Sequence, residues 1–309
     1  MTRAIVVDHA SPGGLSLAEV AAPSPHASEA LVAVKAFSLN RGEVKTALTA
    51  SSDGARPGWD FAGVVEQAAA DGSGPRAGAR VVGMMMAGAW AERVAVAASM
   101  MAELPDAVSF EAAAALPVAG LTAVQCLKRG GDLRGKKVLV TGASGGVGVF
   151  AVQLASADGA VVTAAVRNPA NAALMTRLGA AHAVGMEAAR AHGPYDLILE
   201  SVGGETLGAA LSMMAPGATC VLFGASDTPM TTFDASRFRV GGTTLYGLFL
   251  GYEFRTEAPS AGLRRLADAI AAGTLDPMVE VVAPWTRTAE VAAALMARRF
   301  TGKAVLTVG

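Results

Sequence analysis

Cysteine is nearly absent: the 309-residue chain has two, Cys126 and Cys220. Two thiols so far apart build no disulfide framework and suit a reducing compartment; both are expected to be small buried hydrophobes. Histidine is almost as scarce, with only His9, His26, His182 and His192. Four scattered imidazoles and two thiols cannot supply the three or four converging ligands that zinc requires, so no metal is expected. Charge is low as well, 17% of residues with a formal net charge of -1. That leaves no basic stripe for a nucleic-acid backbone and no polybasic arm for an anionic membrane. Long apolar runs are missing too. The longest, residues 112–127, is interrupted by Pro117 and falls short of the roughly 20 residues of a membrane span. The apolar run at 4–7 is broken by Asp8 and His9, too early for a signal peptide. The expectation is a cytoplasmic protein acting on a small molecule.

What is present is apolar bulk. With 52% hydrophobic residues, a chain of this length holds two domains with well-packed cores. The first hundred residues read as short β-type runs, AIVV, EALVAVKAF, FAGVVEQ, ARVVGMMM and AERVAVAA, separated by turn clusters such as DGSGPRAG at 71–78. The methionines 84–86 are expected to continue a strand that faces core on both sides. From residue 116 the texture changes to alternating strand and helix: KVLVTG then GVGVFAVQLASADG, AVVTAAV then PANAALMTRLG, followed by YDLILES and ATCVLFG. Repeated βα units imply an α/β fold with a parallel sheet covered by helices. Beyond residue 243 come a helix over 260–272, a strand over 279–283, a helix over 289–298 and a last strand, KAVLTV.

The stretch KVLVTGASGGVG, residues 137–148, fits two chemistries. Gly142-Ala143-Ser144-Gly145-Gly146 has the G-x-S-x-G form of a serine nucleophile's elbow. Gly142, Gly145 and Gly148 also have the spacing of a glycine-rich dinucleotide turn, in which backbone N–H groups at a helix N-terminus meet a pyrophosphate. An elbow needs an acid and then a histidine downstream of the serine; nothing after His192 could serve, and an elbow has no use for Gly148. In the dinucleotide reading Ser144 is a loop hydroxyl near the pyrophosphate, and Gly145, Gly146 and Val147 supply the helix N-terminus. That reading also requires a second strand ending roughly 20 residues on, at the adenosine ribose. There the chain offers Val166, Arg167 and Asn168 in place of the acid that would hold both hydroxyls of NAD. Arginine at that place suits the extra phosphate of NADP, and NADPH is the expected cofactor.

These pieces, with SLNRGEV (38–44), PGWDFAGVV (57–65), GAWAERVAV (88–96), AAALPVAGLTA (113–123), LGA (178–180), YDLILESVGG (195–204) and TGKAVLTV (301–308), follow one another as in a known family. The chain resembles the medium-chain dehydrogenase/reductase superfamily, in its zinc-independent quinone oxidoreductase and enoyl reductase branch. The resemblance implies a GroES-like β-rich catalytic domain, formed by residues 1–115 and 249–309. It also implies an inserted doubly wound Rossmann domain, residues 116–248, with nicotinamide and substrate in the cleft between them. Zinc-dependent members carry a Cys about where Phe37 and Ser38 lie and Gly-His-Glu where this chain has Gly58-Trp59-Asp60. Without zinc, the implied reaction is hydride delivery to an acceptor that is already electrophilic, a quinone or the β-carbon of an enone or enoyl thioester. By the same resemblance Asn40 lies beside the nicotinamide ribose and Thr122 near the nicotinamide. Gly224 to Ser226 and Leu248, Phe249 and Leu250 run along the rest of the cofactor. Lys45, where relatives often have a tyrosine, is a candidate proton donor to the enolate, against a solvated surface lysine. Met186 replaces an aromatic residue that can lie on the adenine. Residues 243–255, apolar and aromatic, are expected to line the substrate side, and the resemblance implies a homodimer or homotetramer.

Overall fold

The computed structural model describes residues 1–239 and 241–309 and divides into two compact units, residues 1–121 with 254–309, and residues 122–253. The expected divisions fell at 115/116 and 248/249. The division observed at 121/122 falls inside one continuous helix, residues 117–128, whose first turn belongs to the first unit.

The first unit contains β1 (Thr2–Val7), β2 (Leu15–Val20), β3 (Glu29–Ser38), α1 (Arg41–Thr49), β4 (Asp60–Gln67), β5 (Arg80–Met84), β6 (Arg93–Ala97), β7 (Met101–Glu103) and α2 (Phe110–Ala114). The crossing helix is α3 (Pro117–Lys128). Strands β1 and β2 pair as an antiparallel hairpin. Strand β3 shows why a sheet forms here: Ala30, Val32, Val34 and Ala36 are buried while Lys35 is exposed, the period-2 pattern of a strand with one face on a core. That core holds Phe61 and a stack of Phe37 on Trp90 with ring centroids 5.7 Å apart. The methionine run departs from expectation. β5 ends at the buried Met84, and Met86 is 56% exposed, because the chain leaves the sheet for a turn through Gly88 at φ +87°.

The second unit alternates strand and helix: β8 (Lys137–Val140), α4 (Gly146–Ala157), β9 (Val161–Ala165), α5 (Ala172–Arg177), β10 (His182–Val184), α6 (Met186–Ala189), β11 (Tyr195–Glu200), α7 (Gly204–Leu211), β12 (Met214–Leu222), α8 (Ala235–Phe238), β13 (Thr244–Gly247) and α9 (Leu250–Glu253). Among the described residues its sheet has the order β10-β9-β8-β11-β12-β13, every pair parallel. This is the doubly wound order whose direction reverses between the first and fourth strands, here β8 and β11. Helices cover both faces, so Val138, Leu139 and Val140 are all buried and the strand reads as a continuous apolar run.

The chain then returns to the first unit through α10 (Pro259–Ala271), β14 (Val279–Pro284), α11 (Thr288–Met296) and β15 (Lys303–Thr307). In that unit's large sheet β15 inserts between β14 and β3, giving β14-β15-β3-β4-β5-β7, with β6 also on β3. α11 stops two residues before the expected end, and Arg298 just beyond it takes a left-handed φ of +56°. Among the described residues no helix is long and apolar enough to cross a membrane.

Candidate active site

The glycine turn lies between β8 and α4, at the carboxyl end of the sheet and beside its switch point, where open α/β sheets bind their ligands. Each glycine has a geometric reason. Gly142 has φ +55°, and a Cβ there would lie 2.8 Å from Ser201 Oγ at the end of β11. Gly145 donates its N–H to Gly142 O at 2.9 Å and caps α4. A Cβ on Gly148 would stand 2.5 Å from Ala143 O, so only glycine lets α4 pack this close to the turn. The first intrahelical bond runs from Val149 N–H to Gly145 O at 3.1 Å. The N–H groups of Gly146, Val147 and Gly148 therefore point out of the helix without an intrahelical acceptor. Gly142 and Gly145 are exposed and Ser144 half-buried. The resulting cradle of backbone donors at a twelve-residue helix fits a dinucleotide's pyrophosphate.

The other residues assigned to this unit from sequence gather along the same strand ends. Arg167 follows β9, is exposed, and has no hydrogen bond or ion pair among the described residues. Asn168 caps locally, its Oδ1 accepting from Ala170 N–H at 3.1 Å to open a short turn. After β12, Gly224 is so close to β11 that a Cβ would meet Ser201 O at 3.2 Å, and Ser226 N–H donates to that same oxygen at 3.0 Å. After β13, Leu248 N–H donates to Leu222 O at 2.8 Å; Phe249 is exposed, and Leu250 opens α9 buried. Thr122 is buried in α3, and Met186 is half-buried against this unit's core.

Sequence reasoning missed a carboxylate under the cradle. Glu200, the last residue of β11, is fully buried. Its Oε1 accepts from Val202 N–H at 2.8 Å and from Thr141 Oγ1 at 3.1 Å, and its Oε2 from Gly203 N–H at 3.1 Å. Thr141 Oγ1 in turn accepts from Ser201 N–H at 3.1 Å, so one side chain ties the end of β8 to the loop after β11. Burial pushes the Glu200 carboxyl above the usual range, against the pull of these hydrogen bonds. Burial also pushes the Cys126 and Cys220 thiols up, which keeps them in the unreactive thiol form.

In the first unit, Asn40 joins β3 to α1 and belongs to a network of charged groups. Its N–H donates to Glu43 Oε1 at 2.7 Å; its amide Nδ2 donates to Glu43 Oε1 at 3.0 Å and to Asp60 Oδ2 at 2.7 Å. Lys303 Nζ donates to Asn40 Oδ1 at 2.6 Å and to Leu39 O at 3.1 Å, and lies 3.5 Å from Asp60 Oδ2. Asp60 further accepts from Ser38 Oγ at 2.6 Å and, through Oδ1, from Val118 N–H in the first turn of α3 at 3.0 Å. Ser38, Glu43, Asp60 and Lys303 are all buried, whereas Asn40 is half-buried. Lys45, one turn into α1, is exposed.

Two carboxylates thus share one buried ammonium. Glu43 yields: burial first, and then the Asp60 charge, hold its carboxyl well above the usual range, and its Oε2 has no hydrogen-bond partner among the described residues. Burial lowers the Lys303 ammonium, opposed by the Asp60 and Glu43 charges. A carboxyl raised in the folded state binds its proton more tightly folded than unfolded. Stability is then lost as pH climbs from the unfolded value near 4.5 through the raised folded one. Glu43→Gln cannot ionise, so its stability relative to the unsubstituted protein should rise over that span. Urea midpoints measured from about pH 5 to about pH 9 test this; a constant difference between the two proteins would contradict it.

Among the described residues no three His, Cys, Asp or Glu side chains converge to hold a metal. The Ser38 hydroxyl donates to Asp60, and Trp59 offers an indole N–H that can only donate.

Two family models match successive parts of the chain. Residues 26–106 match the alcohol dehydrogenase GroES-like domain, and residues 146–268 match the domain described as zinc-binding dehydrogenase. A 2-methylene-furan-3-one reductase of Solanum lycopersicum is 28% identical over 93% of this chain and 74% of its own. The quinone oxidoreductase structure of Pseudomonas syringae superposes with a TM-score of 0.87 at 26% identity, over 99% of this chain and 100% of that one. A mycobacterial structure complexed with NADPH gives 0.85 at 26% identity over the same shares. The chain also matches two far longer polyketide synthase proteins, from Streptomyces orinoci at 35% and Mycobacterium tuberculosis at 31% identity, and spans only 14% and 16% of their lengths.

Proposed function

The chain belongs to the medium-chain dehydrogenase/reductase superfamily, and from that premise we propose that it is an NADPH-dependent, zinc-independent reductase. Its acceptor is a quinone or the activated double bond of an enone or enoyl thioester. The observation that carries this reading is the open cradle of Gly142 to Val147, with a free guanidinium, Arg167, after the neighbouring strand. NADPH, when bound, supplies the hydride. The helix N-terminus of α4 binds the pyrophosphate through backbone N–H groups and the α4 dipole. Arg167 takes the 2′-phosphate; Thr122, Gly224, Ser226, Phe249 and Leu250 flank the dinucleotide. The relatives' names favour an electrophilic carbon or a quinone as acceptor, because the tomato enzyme's substrate is an enone and the Pseudomonas protein is a quinone reductase.

Transfer of deuterium from nicotinamide-deuterated NADPH to a panel of enones, enoyl thioesters and quinones tests the reaction. Carbon-bound label in a saturated product identifies an alkene reductase. NADPH consumption with quinones and no carbon-bound label identifies a quinone reductase, and binding without turnover on any acceptor defeats the reading. The proton donor for an alkene is proposed to be Lys45. General acid catalysis contributes about 10²–10⁴-fold, so Lys45→Met turnover within about twofold of normal removes that role.

Cofactor preference has its own test. A hydrogen bond to a charged group contributes about 1.5–3 kcal/mol, which sets the preference for NADPH over NADH at about 10–100-fold. Arg167→Ala should erase most of it while leaving NADH affinity within about threefold. An unchanged ratio of the two dissociation constants, measured by nicotinamide fluorescence, would reject the assignment.

A further inference from the structure

We propose that Arg56, in the loop between α1 and β4, is an oxyanion-binding residue of the first unit, and that the carboxylate or phosphate it takes is carried by the acceptor. That the anion belongs to the acceptor rests on the reading of the chain as a reductase with Lys45 as proton donor.

A guanidinium presents five N–H donors in a planar fork and has no acceptor of its own. The other half-buried arginines of this chain show how such a group is normally placed. Arg41 donates to the carbonyls of Leu295 and Met296 at the end of α11, Arg80 donates to those of Pro105, Asp106 and Val108, and Arg93 pairs with Glu66 at 2.7 Å. Arg56 is also half-buried and its Nε is shut off from solvent, yet among the described residues its fork has no hydrogen bond or ion pair. A buried donor left without an acceptor is costly, more so on a charged group, and folded proteins rarely keep one. The acids that flank Arg56 in the chain are engaged elsewhere: Asp53 accepts His9 N–H at 2.8 Å, and Asp60 accepts from Ser38, Asn40 and Val118.

The backbone on both sides of Arg56 is held. Gly54 N–H and Ala55 O are each bonded to Val7 at 2.8 Å, and the carbonyls of Pro57, Gly58 and Trp59 accept from the N–H groups of Trp90, Ala89 and Met85. Gly58 fits there only as glycine, since φ is +114° and a Cβ would lie 2.4 Å from Trp90 N. A fork carried on a loop fixed in advance loses less freedom on binding than one on a loose loop, and two parallel N–H groups match the paired oxygens of a carboxylate or a phosphate. The same loop is tied to α1, because the Trp59 ring lies 3.3 Å from where a Gly42 Cβ would stand. Lys45 follows one turn along the same face of that helix, exposed and likewise without a side-chain partner among the described residues. An acceptor protonated by Lys45 therefore lies beside the loop of Arg56, and its anionic group is the partner that the guanidinium lacks.

The test uses the full chain. Labelling of Arg56 by phenylglyoxal, read by peptide mass spectrometry, should be slowed several-fold by inorganic phosphate at constant ionic strength, whereas labelling of the exposed Arg264 on α10 should not. Acceptors are compared in pairs: β-acetylacrylate, an enone with a terminal carboxylate, against its methyl ester, and benzoquinonecarboxylate against its methyl ester. A hydrogen bond to a charged group is worth about tenfold or more, so the ratio of kcat/KM for acid over ester should fall about tenfold in Arg56→Gln, through KM for the acid. Arg56→Lys, which keeps the charge and loses the fork, should retain part of the ratio. Labelling of Arg56 that ignores phosphate, together with a ratio that survives Arg56→Gln, would overturn the proposal. Protection by phosphate with an unchanged ratio would assign the site to a free ion and overturn its link to the acceptor. If the unsubstituted protein reduces no acceptor, the functional reading fails and that link with it, while protection by phosphate still decides whether Arg56 binds an oxyanion.

Discussion

Gly148→Val should remove measurable NADPH binding and cost about 3 kcal/mol or more of stability, the upper part of the range for forcing atoms into a packed site. Even the first added carbon meets three backbone atoms: Ala143 O at 2.5 Å, and Ala143 C and Cα at 2.6 Å. Backbone cannot rotate away as a side chain can, so α4 must move off the turn that follows β8. The cradle is the spacing between that turn and that helix, and the displacement separates the donors of Gly146 and Val147 from the turn at Gly142. Gly148→Ala should show the same effect in smaller measure, at least a tenfold loss of affinity with a lowered urea midpoint. The control is Gly135→Ala in the turn before β8, where an added Cβ meets nothing within 4 Å although φ is +72°; it should lose some stability and keep its NADPH affinity. Full affinity in Gly148→Val would mean that the turn and α4 do not form the binding surface.

The cradle was legible because its causes are local. The spacing of Gly142, Gly145 and Gly148, the strand before them and the helix after them lie close together in the chain, and the periodicity of each βα unit announced the parallel sheet. The place of Arg167 directly after β9 is local in the same way, a fixed distance beyond the turn. The pairing of Asp60 with Lys303 was not, because 243 positions separate them and only the insertion of β15 beside β3 brings the lysine to Asn40. Both residues stood inside stretches that carried the family resemblance, but nothing local marks a lysine as buried. Glu43 had left a signal: Asn40 and Glu43 have the spacing of a capping box, and α1 does open with one. The methionine run was misread because an apolar stretch does not say where a strand ends; the turn at Gly88 does.

Glu200→Leu should cost about 3–5 kcal/mol and weaken NADPH binding at least tenfold, although Glu200 is fully buried and has no expected contact with ligand. The carboxyl is the acceptor for Val202 N–H and Gly203 N–H, and each buried donor left without a partner costs about 1–3 kcal/mol; Thr141 Oγ1, which it also accepts from, keeps Leu199 O as a second acceptor. Leucine keeps the volume and removes every acceptor, so the loss is that of the hydrogen bonds rather than of a cavity. Affinity follows because the bonds converge on the switch point. Ser201 lies between Glu200 and Val202, its Oγ lies where a Gly142 side chain would begin, and its carbonyl receives Ser226 N–H. Releasing that loop loosens the glycine turn on one side and residues 224–226 on the other. Glu200→Gln separates bond from charge, since its carbonyl still accepts while its NH2 faces a backbone donor. Its stability should fall between those of leucine and glutamate near about pH 5. Towards about pH 8 it should approach that of glutamate, because the raised Glu200 carboxyl makes ionisation costlier in the folded state and the unsubstituted protein loses stability as pH rises. Calorimetry at these two pH values with NADPH titrations checks both halves. A leucine variant of reduced stability and undiminished affinity would confine Glu200 to holding the fold and leave the cradle's geometry to the glycines alone.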